Sequence, residues 1–89
     1  TNPLAEQLTV SNHPNPFTHL TTIEVNSTTS GNFNFEVRDL LGQQLHYEQV
    51  QLQIGQNSFV YEAANLPQGL YLYTLSDGIN VLSQKMMIK

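Results

Sequence analysis

The stretch LPQGLYLYTLSDG, Leu66 to Gly78, decides the architecture. Leu66-Pro67-Gln68-Gly69 puts Pro at the second and Gly at the fourth position of a four-residue segment, the pattern of a type I turn. From Leu70 to Ser76 the residues alternate, with Tyr71, Tyr73 and Leu75 on one side. A period of two places such a set on one face of a strand. Asp77-Gly78 then predicts a two-residue hairpin, because a type I′ turn needs positive φ at both centres and Asp-Gly tolerates it. Tyr71 stands two residues past Gly69, at the start of the strand. That is where immunoglobulin-like sandwiches keep a corner tyrosine, whose hydroxyl turns back to the backbone a few residues upstream.

Short alternating runs recur on the N-terminal side. Leu8 and Val10 alternate in the first, Ile23 and Val25 in the second, and Phe33, Phe35 and Val37 in the third, with Asn34, Glu36 and Arg38 opposite. The fourth run spans Gln44 to Leu52, the fifth Asn57 to Ala63, the sixth Leu70 to Ser76 and the seventh Ile79 to Ile88; no stretch has a helical period. Asp39-Leu40-Leu41-Gly42 suits a type I turn with Gly42 at a left-handed bulge position. Seven runs and the corner tyrosine predict one all-β domain over residues 1–89. The expected fold is a seven-stranded immunoglobulin-like or fibronectin-like β-sandwich with Greek-key connections, rather than a barrel, and residues 1–7 read as the end of a linker.

Composition narrows the function. The 89 residues contain no cysteine and no tryptophan, so disulfides, thiolate metal sites and cysteine nucleophiles are excluded and packing must hold the fold. Three Lys/Arg against seven Asp/Glu, with no two basic residues adjacent, leave no basic patch for nucleic acid. No apolar run approaches the ~20 residues that cross a bilayer as a helix. The chain starts at Thr1 and reads as a fragment of something longer.

Catalytic and metal signatures are missing. His13 and His19 share one loop and His46 lies in a strand, where all three read as surface histidines; a metal needs three or four converging ligands. Glu24, Glu36, Glu48 and Glu62 each fall on a different strand and read as solvated sheet positions. There is no G-x-S-x-G, no phosphate-cradling glycine loop and no H-E-x-x-H, so no enzyme and no cofactor is expected. Asn26-Ser27-Thr28 matches the N-glycosylation tripeptide, which carries little information alone.

Two features exceed what a plain sandwich demands. In Pro14-Asn15-Pro16-Phe17 the prolines fix φ and push His13 and Asn15 toward extended conformations. The segment is expected to cross stiffly from one sheet to the other, with Phe17 in the core. At the other end, VLSQKMMIK runs a strand to Lys89, with Lys85 and Lys89 either guarding an edge or offering it to a receptor.

Taken in order, PNPF, VRDLLGQ, LPQGLYLYTL and QKMMIK resemble the C-terminal sorting domain of the type IX secretion system, the type A family of Bacteroidetes. The resemblance spans nearly the whole chain. It implies a non-catalytic sorting signal, last in a larger exported protein, that directs its cargo through the outer-membrane translocon. Implied partners are translocon and shuttle proteins and a sortase protease that removes the domain, with no membrane insertion of its own. The cargo would finish secreted or on the cell surface, and cleavage would fall at or before Thr1 to Gln7. Carried over by position, Pro14, Asn15, Pro16 and Phe17 match the proline motif. Asp39, Gly42 and Gln43 match the central turn, Gly69 and Tyr71 the G-x-Y corner, and Lys85 and Lys89 the basic C-terminal motif. Deleting Lys85 to Lys89 is expected to block export while the sandwich still folds. The rival reading is an accessory carbohydrate-binding or fibronectin-like spacer module of an extracellular enzyme, with Tyr47, Tyr61, Tyr71 and Tyr73 as the aromatic platform.

Overall fold

The computed structural model describes residues 8–16, 19–63, 66–79 and 81–89. Among these described residues seven strands form: β1 (Leu8–His13), β2 (Leu20–Ser27), β3 (Gly31–Arg38), β4 (Gln44–Leu52), β5 (Gly55–Glu62), β6 (Gly69–Ser76) and β7 (Val81–Ile88). They make two antiparallel sheets, ordered β1-β2-β5 and β4-β3-β6-β7, so the chain crosses between sheets after β2, β4 and β5. This is the expected sandwich, about 34 Å in its longest dimension. Phe17 lies outside the described residues.

The alternation read in the sequence builds the core. Leu8, Ile23, Val25 and Tyr61 face inward from one sheet, and Phe33, Phe35, Val37, Leu52, Tyr71, Tyr73, Leu75, Met86 and Ile88 from the other, all buried. Burying side chains of this size contributes roughly 1.5–3 kcal/mol each, which lets a disulfide-free chain of this length stand. Phe35, fully buried, is the hub. Its ring meets Phe59 at 5.0 Å and Tyr61 at 5.9 Å edge-on, and Tyr73 tilted at 6.1 Å.

The central turn forms as expected. The Gly42 amide donates to the Asp39 carbonyl at 3.0 Å, and Gly42 takes φ 88°. The Asp39 carboxylate accepts from the Leu41 and Gln43 amides at 2.9 Å each, and the β3–β4 register shifts between Val37 and Arg38. The corner tyrosine also forms: the Tyr71 hydroxyl donates to the Pro67 carbonyl at 2.6 Å.

Two expectations need correction. Ser76 pairs with Val81, so the β6–β7 hairpin has a four-residue loop instead of a two-residue one. Only Gly78 there has positive φ among the described residues, at 99°, whereas a type I′ turn needs two such centres. The Asp77 carboxylate instead accepts from the Ile79 amide at 2.9 Å, and Ile79 stands exposed at the tip rather than opening the strand. The proline segment does not change sheets either. β1 and β2 pair in one sheet from Leu8↔Ser27 to His13↔Thr22, so the prolines fill the loop of a hairpin, and the His13–Pro14 and Asn15–Pro16 bonds are cis.

Register also sorts the two ends of the sandwich. Leu8 pairs with Ser27, Gly31 with Leu52 and Ser76 with Val81, which gathers these positions at one end. His13 pairs with Thr22, Arg38 with Gln44 and Gly69 with Ile88, which gathers the loops beyond them at the other.

Candidate functional site

That second end collects the described residues of the four motifs that carry the family resemblance. Pro14, Asn15 and Pro16 occupy its first loop, Asp39, Gly42 and Gln43 its second, Gly69 and Tyr71 open β6 there, and Lys85 and Lys89 close the chain beside them. Two of these motifs, separated by most of the chain, touch. The Asn15 side-chain oxygen accepts from the Met87 backbone amide at 3.0 Å. Asn15, Pro16, Leu70, Lys85, Met86 and Met87 together line a shallow cleft of about 270 Å³.

A buried polar network holds the loop. Asn12 donates through its amide nitrogen to the Thr21 hydroxyl at 3.2 Å, Thr21 donates to the Pro14 carbonyl at 2.9 Å, and the Tyr73 hydroxyl donates to the Asn12 side-chain oxygen at 3.3 Å. Buried polar groups cost free energy unless paired, and here each has a partner. Burial pushes the Tyr73 hydroxyl up to about 12 and raises that of Tyr61 as well, with a smaller contribution from Tyr71. The sequence reading missed Asn12, although the signal was there: it sits on the inward phase behind Leu8 and Val10, where a polar residue needs a partner.

Residues 11–89 match the secretion system C-terminal sorting domain family. The chain belongs to that family. The sorting domain is thus a signal for type IX secretion, a class of domain that directs export and is not itself catalytic. A comparison with curated protein sequences gives no match. Among solved structures it is similar to part of a β-glucosidase from Listeria innocua bound to isofagomine, at 10% identity and TM-score 0.52, covering 92% of this chain and 16% of that one. The crystal structure of β-glucosidase from Listeria innocua without a named ligand gives the same TM-score, 0.52, again at 10% identity, over 92% of this chain and 16% of that one. At such identity the likeness shows the fold alone.

Within the sorting domain the motifs do not merge into one patch. The Asp39 turn shares the end with the Asn15–Met87 contact, but β3 and β6 lie between β4 and β7. Arg38 is spent locally, 2.7 Å from the Glu36 carboxylate and donating to the Gly42 carbonyl at 2.8 Å. Lys85 and Lys89 are exposed, and among the described residues neither has an ion-pair partner. Tyr61, Tyr71 and Tyr73 are core residues, leaving Tyr47 as the exposed tyrosine, its hydroxyl donating to the Asn34 side-chain oxygen at 2.9 Å. An aromatic platform for a glycan is therefore not built from them.

His46 and Glu48 depart from the surface reading. They pair with Val37 and Phe35, so they share the inward phase of β4. The His46 ring packs 5.2 Å from Tyr61 and 5.9 Å from Phe35, and its Nε2 lies 3.4 Å from the Glu48 carboxylate without a hydrogen bond. β4 is an edge strand, so its inward side opens sideways to water and can carry polar tips. Among the described residues no cluster of three or more His, Asp or Glu could hold a metal.

Proposed function

We propose that the domain is the terminal address of a larger exported protein, of the type A kind found in Bacteroidetes, read at the end that carries Asn15 and Met87. The machinery passes the cargo through the outer membrane, and a sortase then removes the domain, within or before residues 1–7. The observation that supports this reading best is the 3.0 Å bond from the Met87 amide to Asn15, which fixes the proline loop against the basic tail. The start of β1 leaves from the opposite end, so cargo attached there would not cover that surface.

The test is a periplasmic reporter fused ahead of residues 1–89 in a host with the type IX system. Export to the medium or cell surface is expected, and a reporter that stays periplasmic overturns the reading. Deleting Lys85 to Lys89 would be a confounded version. Met86 and Ile88 are 1% and 2% exposed, so the deletion strips the core, contrary to the expectation that the rest still folds. The double substitution Lys85→Ala with Lys89→Ala leaves the core intact and separates signal from folding.

A further inference from the structure

Among the described residues β7 is the outer strand of its sheet, paired with β6 on one side and with no strand on the other. Which of its backbone groups face the open side follows from one bond. The Met87 amide goes to Asn15 rather than to β6, and in an antiparallel pair the outward groups recur every second residue. The amides and carbonyls of Ser83 and Lys85 therefore point outward too, and Ser83, Gln84 and Lys85 are three consecutive exposed residues. At Met87 the Asn15 side chain takes the position that a partner strand would use, so the open stretch ends there.

We propose that this stretch receives an extended, acidic segment of the translocation machinery as an added strand, with Asn15 setting its register; the proposal rests on the sorting reading. Charge selects the occupant. Within a chain of net charge −4, both lysines lie in the last five residues, and the remaining cation, Arg38, is already paired. A second copy is a poor occupant: antiparallel pairing of two β7 strands about Lys85 would place Lys85 opposite itself, and pairing about Gln84 would leave the two Lys85 side chains as diagonal neighbours within reach of each other, so that like charges meet in either register. An incoming strand with a carboxylate facing Lys85 meets no such penalty. Leu70 and Leu72, paired with Met87 and Lys85 on the outer face, supply apolar surface beside the same strand. Strand addition of this kind draws affinity from main-chain bonds and specificity from alternate side chains.

The test uses residues 1–89, isotopically labelled, with an eight-residue peptide alternating Val and Glu, and its Val-Lys counterpart as control. The expected result is that the Glu peptide shifts the Ser83 and Lys85 amide resonances and salt weakens the effect, while the Lys peptide binds at least tenfold more weakly. Ser83→Pro removes an outward donor at an edge position where proline is tolerated, and should lower affinity at least tenfold. Lys85→Glu should reverse the preference between peptides and covers the case in which the proline variant misfolds. Shifts confined to another strand, equal binding of both peptides, or concentration-dependent shifts without peptide would overturn the proposal, the last by showing self-pairing. In the export assay a Ser83→Pro domain that melts normally yet exports fully sinks strand addition and leaves the sorting reading standing. Failure of the unaltered domain to export sinks the sorting reading instead.

Discussion

Asn12 and Tyr73 show how a single residue can be both structural and decisive. Asn12 occupies a core position on β1, and its oxygen is paired by a hydroxyl 61 residues away. Tyr73→Phe should lower stability at neutral pH by about 1 kcal/mol, since one net hydrogen bond is lost and a buried oxygen is left without its donor. Its signature in pH is separate. The folded-state hydroxyl is pushed up to about 12 from an ordinary 10.0, so between those values the unfolded chain loses its proton while the folded chain keeps it. Stability must fall as pH rises through that window, and is unaffected by this group below it. Urea midpoints measured from pH 8 to 12 should decline less steeply in Tyr73→Phe, with Tyr61 supplying part of the remaining slope.

Among the elements, the β3–β4 connection was the most legible. Asp39 and Gly42 have the right chemistry at the right spacing, and the carboxylate and left-handed glycine do what local geometry requires of them. Gly42→Ala should cost about 1–2 kcal/mol, the penalty of a left-handed backbone for a residue with a Cβ. No atom lies within 4 Å of the added methyl, so the loss is purely one of backbone conformation. A lower urea midpoint with an unchanged slope would confirm it. The Asp77-Gly78 hairpin misled for an instructive reason. The dipeptide permits a two-residue turn but does not compel one, and the pairing of Ser76 with Val81 left two further residues in the loop. Edge strands misled similarly: on β4 the inward phase carries His46 and Glu48, because that side is only half closed.

For the whole molecule, the placement of the start of β1 opposite the end of β7 matters most. β1 starts at one end, while the proline loop, the central turn, the corner and the lysines share the other. A folded protein fused before Thr1 should be exported, whereas the same protein fused after Lys89 should reduce export at least tenfold with the melting temperature of the domain unchanged. Equal export of both fusions, measured by fractionation, would remove the motif-bearing end from the recognition surface.

The strands, the central turn, the corner tyrosine and most of the core were legible along the chain, because each rests on periods and turn chemistry that span a few residues and that a linear reading can follow. The chain also carried the ordered motifs of the family. That the proline segment closes a hairpin within one sheet, and that Asn15 meets Met87 across 72 positions, emerges in the packed fold. Strand order is set by the packing of two faces against each other, and nothing in the spacing of PNPF and QKMMIK encodes that they become neighbours.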